Sequence, residues 1–512
     1  MDDKSQNNVE QTEKQEAPAA VVLPGGAARF LGILTKNWLA TRPIVVLSFI
    51  FLFGVAIDLF DSFGIEERSD NATSSALNSA LSPTYGGVHR EGQELITNVL
   101  IQSSFLSRNN IDYWPLTYQA QIDLVTHLAS FDPKIIFLDF YYYTLQKCQR
   151  NLGSTLNCPE ETLAARWGQT LDPSAYTGEF AAQLKKAAVN SKGQAIPLIL
   201  GPISPSDPAF TKLRTAFPVG QGSAGIHIPI SPQFAYQAYD KDKQLMVAFL
   251  IYQMLCQDLK SGCKQPATEL NKQTMAIQWG FGNSALQQSI QPNHEGTICK
   301  GEGVSQRFLS GIQVIFRSLF QGALQNPNHN KRSADIVACT YHDTLSADQV
   351  SQAIDEGQNS GSHQLVSKAL KNRVVMVGAD ISYLSDYFDS PVYGKVPGIT
   401  VHSMALDNLI SKGDNIQRFP KQVIWGLDQA DVVESLLMIL AMIALIWRHN
   451  AILHKSYQPK LANWAFNFAV ITVTITVGVF VSWLANWAVL NVFIMTLGIF
   501  GVSGILALFK ET

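Results

Sequence analysis

Four carboxylates and one imidazole stand just beyond the ends of two apolar runs. The first run, Ile135 to Tyr141 (IIFLDFY), carries Asp139 near its end. The second, Val374 to Val377, closes in Gly378 and opens into a loop with Asp380, Asp386 and Asp389. Turn formers Pro391, Gly394, Pro397 and Gly398 follow, and then His402. A carboxylate at the end of a buried strand has its pKa raised unless a cation or amide donors stabilise the charge. A cluster of this kind can hold a cation or a polar ligand, and a histidine beside it can act as a pH-sensitive switch. The same residue types also serve structure, as Asp residues that cap a helix or bond their own loop and as a hydrogen-bonded histidine at a helix start. Both readings stand at this point. The amides of a helix beginning near Gly398 favour anions while the carboxylates favour cations, so a zwitterionic or polar neutral ligand is expected.

Other chemistry is poorly represented. Tyr341-His342-Asp343 looks like a catalytic fragment, but adjacent residues on a strand point apart. No G-x-S-x-G, H-E-x-x-H or strand-linked G-x-G-x-x-G occurs, so no catalytic residue and no cofactor is expected. Tyr141 to Tyr143 could form an aromatic shelf or an ordinary strand end. A net charge of -3 over 512 residues leaves no nucleic-acid footprint.

The elements that must position these residues alternate in type. Strands are expected at Val99 to Phe105, Ile135 to Tyr141, Pro197 to Gly201, Thr274 to Trp279, Asp335 to Cys339 and Arg373 to Gly378. Helices are expected at Tyr118 to Ser130, Glu179 to Asn190, Lys243 to Leu259, Val304 to Leu324, Ala347 to Glu356 and Thr400 to Ile410. In the last of these, Ile399, His402, Met404, Ala405, Leu409 and Ile410 recur at roughly helical spacing. Apolar runs separated by helical patterns predict an α/β domain with a mixed sheet and helices on its faces, whose ligands sit beyond the carboxyl ends of the strands.

Charged residues are 15% of the chain and hydrophobic ones 46%, an imbalance that membrane segments explain. Residues 1–42 read as a cytoplasmic, largely disordered tail and 43–60 as a first transmembrane helix, uncleaved because no A-x-A-like site follows. Residues 61–428 form the outer domain. Spans are expected at 431–447, 463–484 and 487–509, with a basic inner loop at 448–462. Arg29, Lys36 and Arg42 before the first span, and Arg448, Lys455 and Lys460 in the loop, set the cytoplasmic side. Asn463, Asn467 and the glycines of the last span suit helix packing in lipid.

Cysteine usage agrees. Cys148, Cys158, Cys256, Cys263, Cys299 and Cys339 all fall in the outer segment, which implies disulfides in an oxidising space. Nearest-neighbour pairing would join Cys148–Cys158, Cys256–Cys263 and Cys299–Cys339, although six cysteines allow about fifteen connectivities. No C-x₂-C pair is present, so no metal site is expected.

Three stretches in order resemble one family. Tyr113-Trp114-Pro115 is similar to a Trp-Pro signature, IIFLDFY to a strand ending in Asp, and Val375 to Gly378 with Asp386, Pro391, Pro397-Gly398 and His402 to a closing segment. Together with the closely spaced final spans they resemble the second type of CHASE domain, the cyclase/histidine-kinase-associated sensory extracellular domains. The resemblance implies a ligand-binding sensor in the bacterial inner membrane, with its domain in the periplasm and a small-molecule or envelope signal. Two departures stand out. Gln102, Ser103 and Ser104 occupy positions where relatives often carry acids. After Phe509 only Lys510, Glu511 and Thr512 remain, so output is expected through a separate signalling or envelope protein, with a homodimer as a compatible assembly. The alternatives are a membrane-anchored envelope enzyme and a structural subunit of an envelope complex. The topology predicts that reporter fusions at Gly153 and Ser456 report opposite sides of the membrane; the same sidedness for both would refute it.

Overall fold

The computed structural model of the chain describes residues 90–111, 114–143, 173–220, 235–239, 244–258, 274–291, 341–384, 386–390, 392–424, 427–453 and 460–487, with residues 78, 82, 85 and 86 besides. The first expected span, five of the six cysteines, the helix Val304 to Leu324, the strand Asp335 to Cys339 and nearly all of the last span lie outside the described residues. Cys256 is disulfide-bonded, to a cysteine outside them.

The domain opens with α1 (Glu91–Leu95), β1 (Ile96–Gln102) and α2 (Ser103–Arg108), followed by α3 (Tyr118–Ala129) and β2 (Ile135–Leu138). Next come α4 (Pro173–Ala187), β3 (Leu198–Leu200), α5 (Thr211–Ala216), β4 (Ala235–Tyr236), α6 (Val247–Asp258), β5 (Met275–Ala276) and α7 (Ala285–Ile290). The second half runs β6 (Asp343–Ser346), α8 (Ala347–Glu356), α9 (Gly361–Leu370) and β7 (Val374–Asp380). A hairpin of β8 (Tyr387–Ser390) and β9 (Gly394–Pro397) leads into α10 (Gly398–Lys412). The pair β10 (Gln422–Ile424) and β11 (Leu427–Asp428) then feeds the long helices α11 (Gln429–Leu453) and α12 (Lys460–Ala485).

Five strands form one sheet in the order β3-β2-β7-β1-β6. Every pairing in it is parallel, which corrects the mixed sheet expected from sequence. The antiparallel pairs β4–β5, β8–β9 and β10–β11 stand apart as two-stranded ribbons. The reason lies in the connections: helices follow β1, β2, β3 and β6, and a helical crossover returns the chain in the same direction.

β7 lies at the centre of the sheet, hydrogen-bonded to β1 and β2, and all seven of its residues are buried. Its side chains alternate between two cores. Val375, Val377 and Ala379 pack with α3, α4, α8 and α9. Val374 and Met376 face the other way, with α6 and α10. Gly378 shares that second face, and a Cβ there would fall 2.6 Å from Ile399 Cβ. The glycine therefore allows α10 to lie directly on the sheet.

Two boundaries differ from expectation. β1 begins at Ile96, three residues early, and Ser103 to Phe105 are helical instead of extended. α9 was not expected at all; its start is capped by Ser360, whose side chain accepts the N–H of His363, but its apolar positions are few. Among the described residues, one helix is long and apolar enough to cross a membrane, α12, with mean hydropathy 2.0 over Ala465–Ser482.

The close approach at Gly378 gives a direct prediction. Gly378→Ala should destabilise the domain by about 1–3 kcal/mol through overpacking. Gly361→Ala, at an open position at the start of α9 with nothing within 4 Å, should be neutral or stabilising by up to about 1 kcal/mol. Chemical unfolding of the solubilised full chain measures both.

Candidate functional site

Parallel strands bring their carboxyl ends to one edge. At that edge Asp139 follows β2 directly, and its N–H bonds Val377 O of β7 at 2.8 Å. Asp139 continues the alternation of Ile135 and Phe137, so it faces α10. Trp114, the tryptophan of the Trp-Pro pair, packs edge-on against the next residue, Phe140, with ring centroids 5.2 Å apart. Asp380 ends β7, and Asp386 lies just before β8.

Three of the expected residues come together here. His402, on the second turn of α10, is 1% exposed, and its Nε2 lies 4.0 Å from Asp139 Oδ2. The negative charge of Asp386 reaches Asp139 as well. The carboxylate of Asp386 rests against Gly398, where a Cβ would fall 2.4 Å from Oδ1, so only glycine admits it. The backbone O of Asp386 accepts the Gly398 N–H at 3.1 Å. Its side chain does not cap α10: the N-cap residue is Pro397, with no side-chain cap hydrogen bond.

The other two acids are placed differently. Asp380 receives Gln102 Nε2 at Oδ2 and Tyr387 OH at Oδ1, each at 3.0 Å. Gln102 is the register partner of Asp380 on β1, so the amide found where an acid was expected serves as its donor. Asp389 stands within β8, opposite Lys395 of β9. The aromatic run is divided: Tyr142 is buried and donates to Gln121 Oε1 at 2.8 Å, while Tyr141 and Tyr143 are exposed.

The electrostatics of the cluster follow from burial. Desolvation, with the Asp386 charge adding to it, pushes Asp139 up to about 8. Burial also raises Asp386 and lowers His402 to about 4. Asp139 is 8% exposed, and its Oδ1 is buried without a hydrogen-bond partner. A second residue, not signalled by any motif, orients the imidazole. Tyr236 OH accepts the Ala248 N–H at 3.3 Å and lies 2.7 Å from His402 Nδ1, and in one of the two ring tautomers it donates to Nδ1. In that tautomer the ring proton of neutral His402 sits on Nε2, on the side of Asp139. The 4.0 Å separation exceeds hydrogen-bond reach.

The carboxyl half of α10 holds a second buried network. Asp407 Oδ2 lies 3.0 Å from His342 Nε2, and Asp407 Oδ1 accepts Tyr85 OH at 2.7 Å and Ser411 Oγ at 2.9 Å. His342 thus pairs with a residue 65 positions away, while its neighbour Asp343 pairs with Arg373 at 2.5 Å. The two neighbours diverge although the strand begins only at Asp343. Among the described residues no group of three His, Cys, Asp or Glu is arranged to hold a metal ion.

These shifts fix a pH dependence. A raised folded pKa on an acid means that the native state holds a proton the unfolded chain has already lost, so stability falls as pH rises toward about 8. Asp386 acts in the same direction. His402, lowered to about 4, gives an opposing rise that is complete near the ordinary histidine pKa. Between about pH 6.5 and 8 the acids therefore dominate, and stability should fall by up to about 1.4 kcal/mol per pH unit for Asp139. Asp139→Asn should flatten this window in unfolding measurements; an unchanged slope would contradict the assignment.

A family model, CHASE2 domain, matches residues 51–446 of the chain. No curated protein and no solved structure matches it.

Proposed function

The chain belongs to the CHASE2 family of sensory extracellular domains, and from that premise we propose a membrane-anchored, ligand-binding sensor whose site lies at the carboxyl edge of the parallel sheet. The observation that carries this reading is the buried Asp139, whose Oδ1 has no donor, beside Asp386 and His402 at the start of α10. A buried carboxylate oxygen without a partner is costly to fold around, and a ligand donor would relieve that cost. Signal would leave along α10, through β10 and β11, into α11.

Membrane anchoring draws support from the two long helices. Ala441 and Leu445 of α11 pack with Ile471 of α12. Leu440, Ile443 and Trp447 of α11, and Phe468, Val473 and Phe480 of α12, are exposed, an arrangement suited to lipid. In this reading the protein is a multi-pass protein of the bacterial inner membrane with its domain outside.

The full chain in lipid nanodiscs, screened by thermal shift against small molecules and cations, tests the proposal. Saturable stabilisation without turnover is expected, about 2.7 kcal/mol at a hundredfold excess over Kd, and it should vanish in Asp139→Asn. Turnover of a compound, or stabilisation that is indifferent to Asp139, would contradict it.

A further inference from the structure

Asp139 and Asp386 form a pair of carboxylates without a counter-ion. Among the described residues no Lys or Arg forms an ion pair with either of them, and the charge that reaches Asp139 is the like charge of Asp386. The groups facing Asp139 come from three elements: Asp386 before β8, His402 on α10 and Tyr236 on β4. Burial keeps His402 neutral and the Tyr236 phenol un-ionised, so neither brings a charge to Asp139. Asp139 Oδ1 is buried and lacks a donor.

We propose, resting on the ligand-binding reading above, that Asp139, Asp386 and His402 form a recognition site for a protonated primary amine. The ammonium group carries three N–H donors and one positive charge. One N–H meets Asp139 Oδ1, which has no donor, and a second meets the carboxylate of Asp386. The ammonium charge offsets the desolvation and the like charge of Asp386 that otherwise keep Asp139 protonated. In the tautomer in which Tyr236 donates to Nδ1, His402 Nε2–H faces Asp139 Oδ2 and stabilises its ionised form.

Rival occupants fit less well. A divalent metal needs at least a third donor, and among the described residues no group of three His, Cys, Asp or Glu is arranged to hold one. An anion meets two carboxylates. A neutral hydroxyl supplies the donor for Oδ1 but brings no positive charge to stabilise two ionised acids side by side. Binding also has a proton balance: the amine enters as ammonium, Asp139 gives up its carboxyl proton to solvent, and one proton is released per ligand bound.

Ethanolamine, ethylene glycol and glycolate have similar size and carry charges of plus one, zero and minus one. Saturation-transfer NMR with the nanodisc-embedded full chain compares them directly. Ethanolamine should bind, with affinity falling about tenfold per pH unit below about pH 8 as Asp139 is protonated. Asp139→Asn and Asp386→Asn should each reduce its signal to background while the melting transition persists, whereas Ser362→Ala, on α9, should leave it unchanged. Binding of ethylene glycol or glycolate in its place, lost in Asp139→Asn, would overturn the amine assignment and leave the ligand site standing. If none of the three probes binds in a manner that depends on Asp139, the amine assignment falls, and the ligand-binding reading is decided separately by the thermal-shift screen. Ethanolamine binding with no pH dependence between 6 and 8 would also overturn the proposal.

Discussion

The structure depends on burying a polar helix against a parallel sheet. From Gly398 to Leu409 every residue of α10 is buried, and five of them, Thr400, His402, Ser403, Asp407 and Asn408, carry polar side chains. A buried polar group without a partner costs about 1–3 kcal/mol, so the surroundings of α10 are set by the partners it requires. Ser403 donates to Asn98 of β1 at 2.5 Å and to Ile399 O at 3.0 Å. Asn408 donates to Gln278 O at 2.8 Å and to Tyr85 OH at 3.1 Å, and accepts the Gln278 N–H at 2.9 Å. Asp407 draws in His342, Tyr85 and Ser411, and the absent side chain of Gly92 leaves room for its carboxylate.

Against this background the amino end of the helix is different. His402 is satisfied on one side by Tyr236, but the approach between its other nitrogen and Asp139 stops at 4.0 Å. The open contact lies beside the helix start, next to Asp386 and at the carboxyl edge of the sheet. The closed network lies at the other end, against the segment that begins with Tyr85 and α1. One helix thus joins the site at Asp139 to the network around Asp407, and the β10–β11 ribbon continues from it to α11.

Much of this was legible in the sequence because the signals were local. IIFLDFY and RVVMVGAD are apolar runs that end in acids, and they became adjacent parallel strands with Asp139 and Asp380 near their ends. The Pro397-Gly398 turn and the apolar spacing after it marked α10. Non-local pairing was not legible. Tyr236 stands in a two-residue strand 166 positions from His402, and no pattern around it signals a role. Asp380 looked equivalent to Asp139, yet its register partner Gln102 and the hydroxyl of Tyr387 occupy both of its oxygens. Which acid is satisfied depends on strand order, and spacing along the chain does not reveal that β7 lies between β1 and β2.

Asp139 is a buried acid whose Oδ1 has no donor, and its surroundings favour the protonated form near neutral pH. Infrared difference spectroscopy of the full chain in nanodiscs tests this most directly, through the carbonyl band of a protonated carboxyl group. The account predicts a band that persists at pH 7, disappears on titration through about 8, and is missing in Asp139→Asn while remaining in Asp380→Asn. A wild-type protein with no such band at pH 7, or a band unaffected by Asp139→Asn, would contradict it.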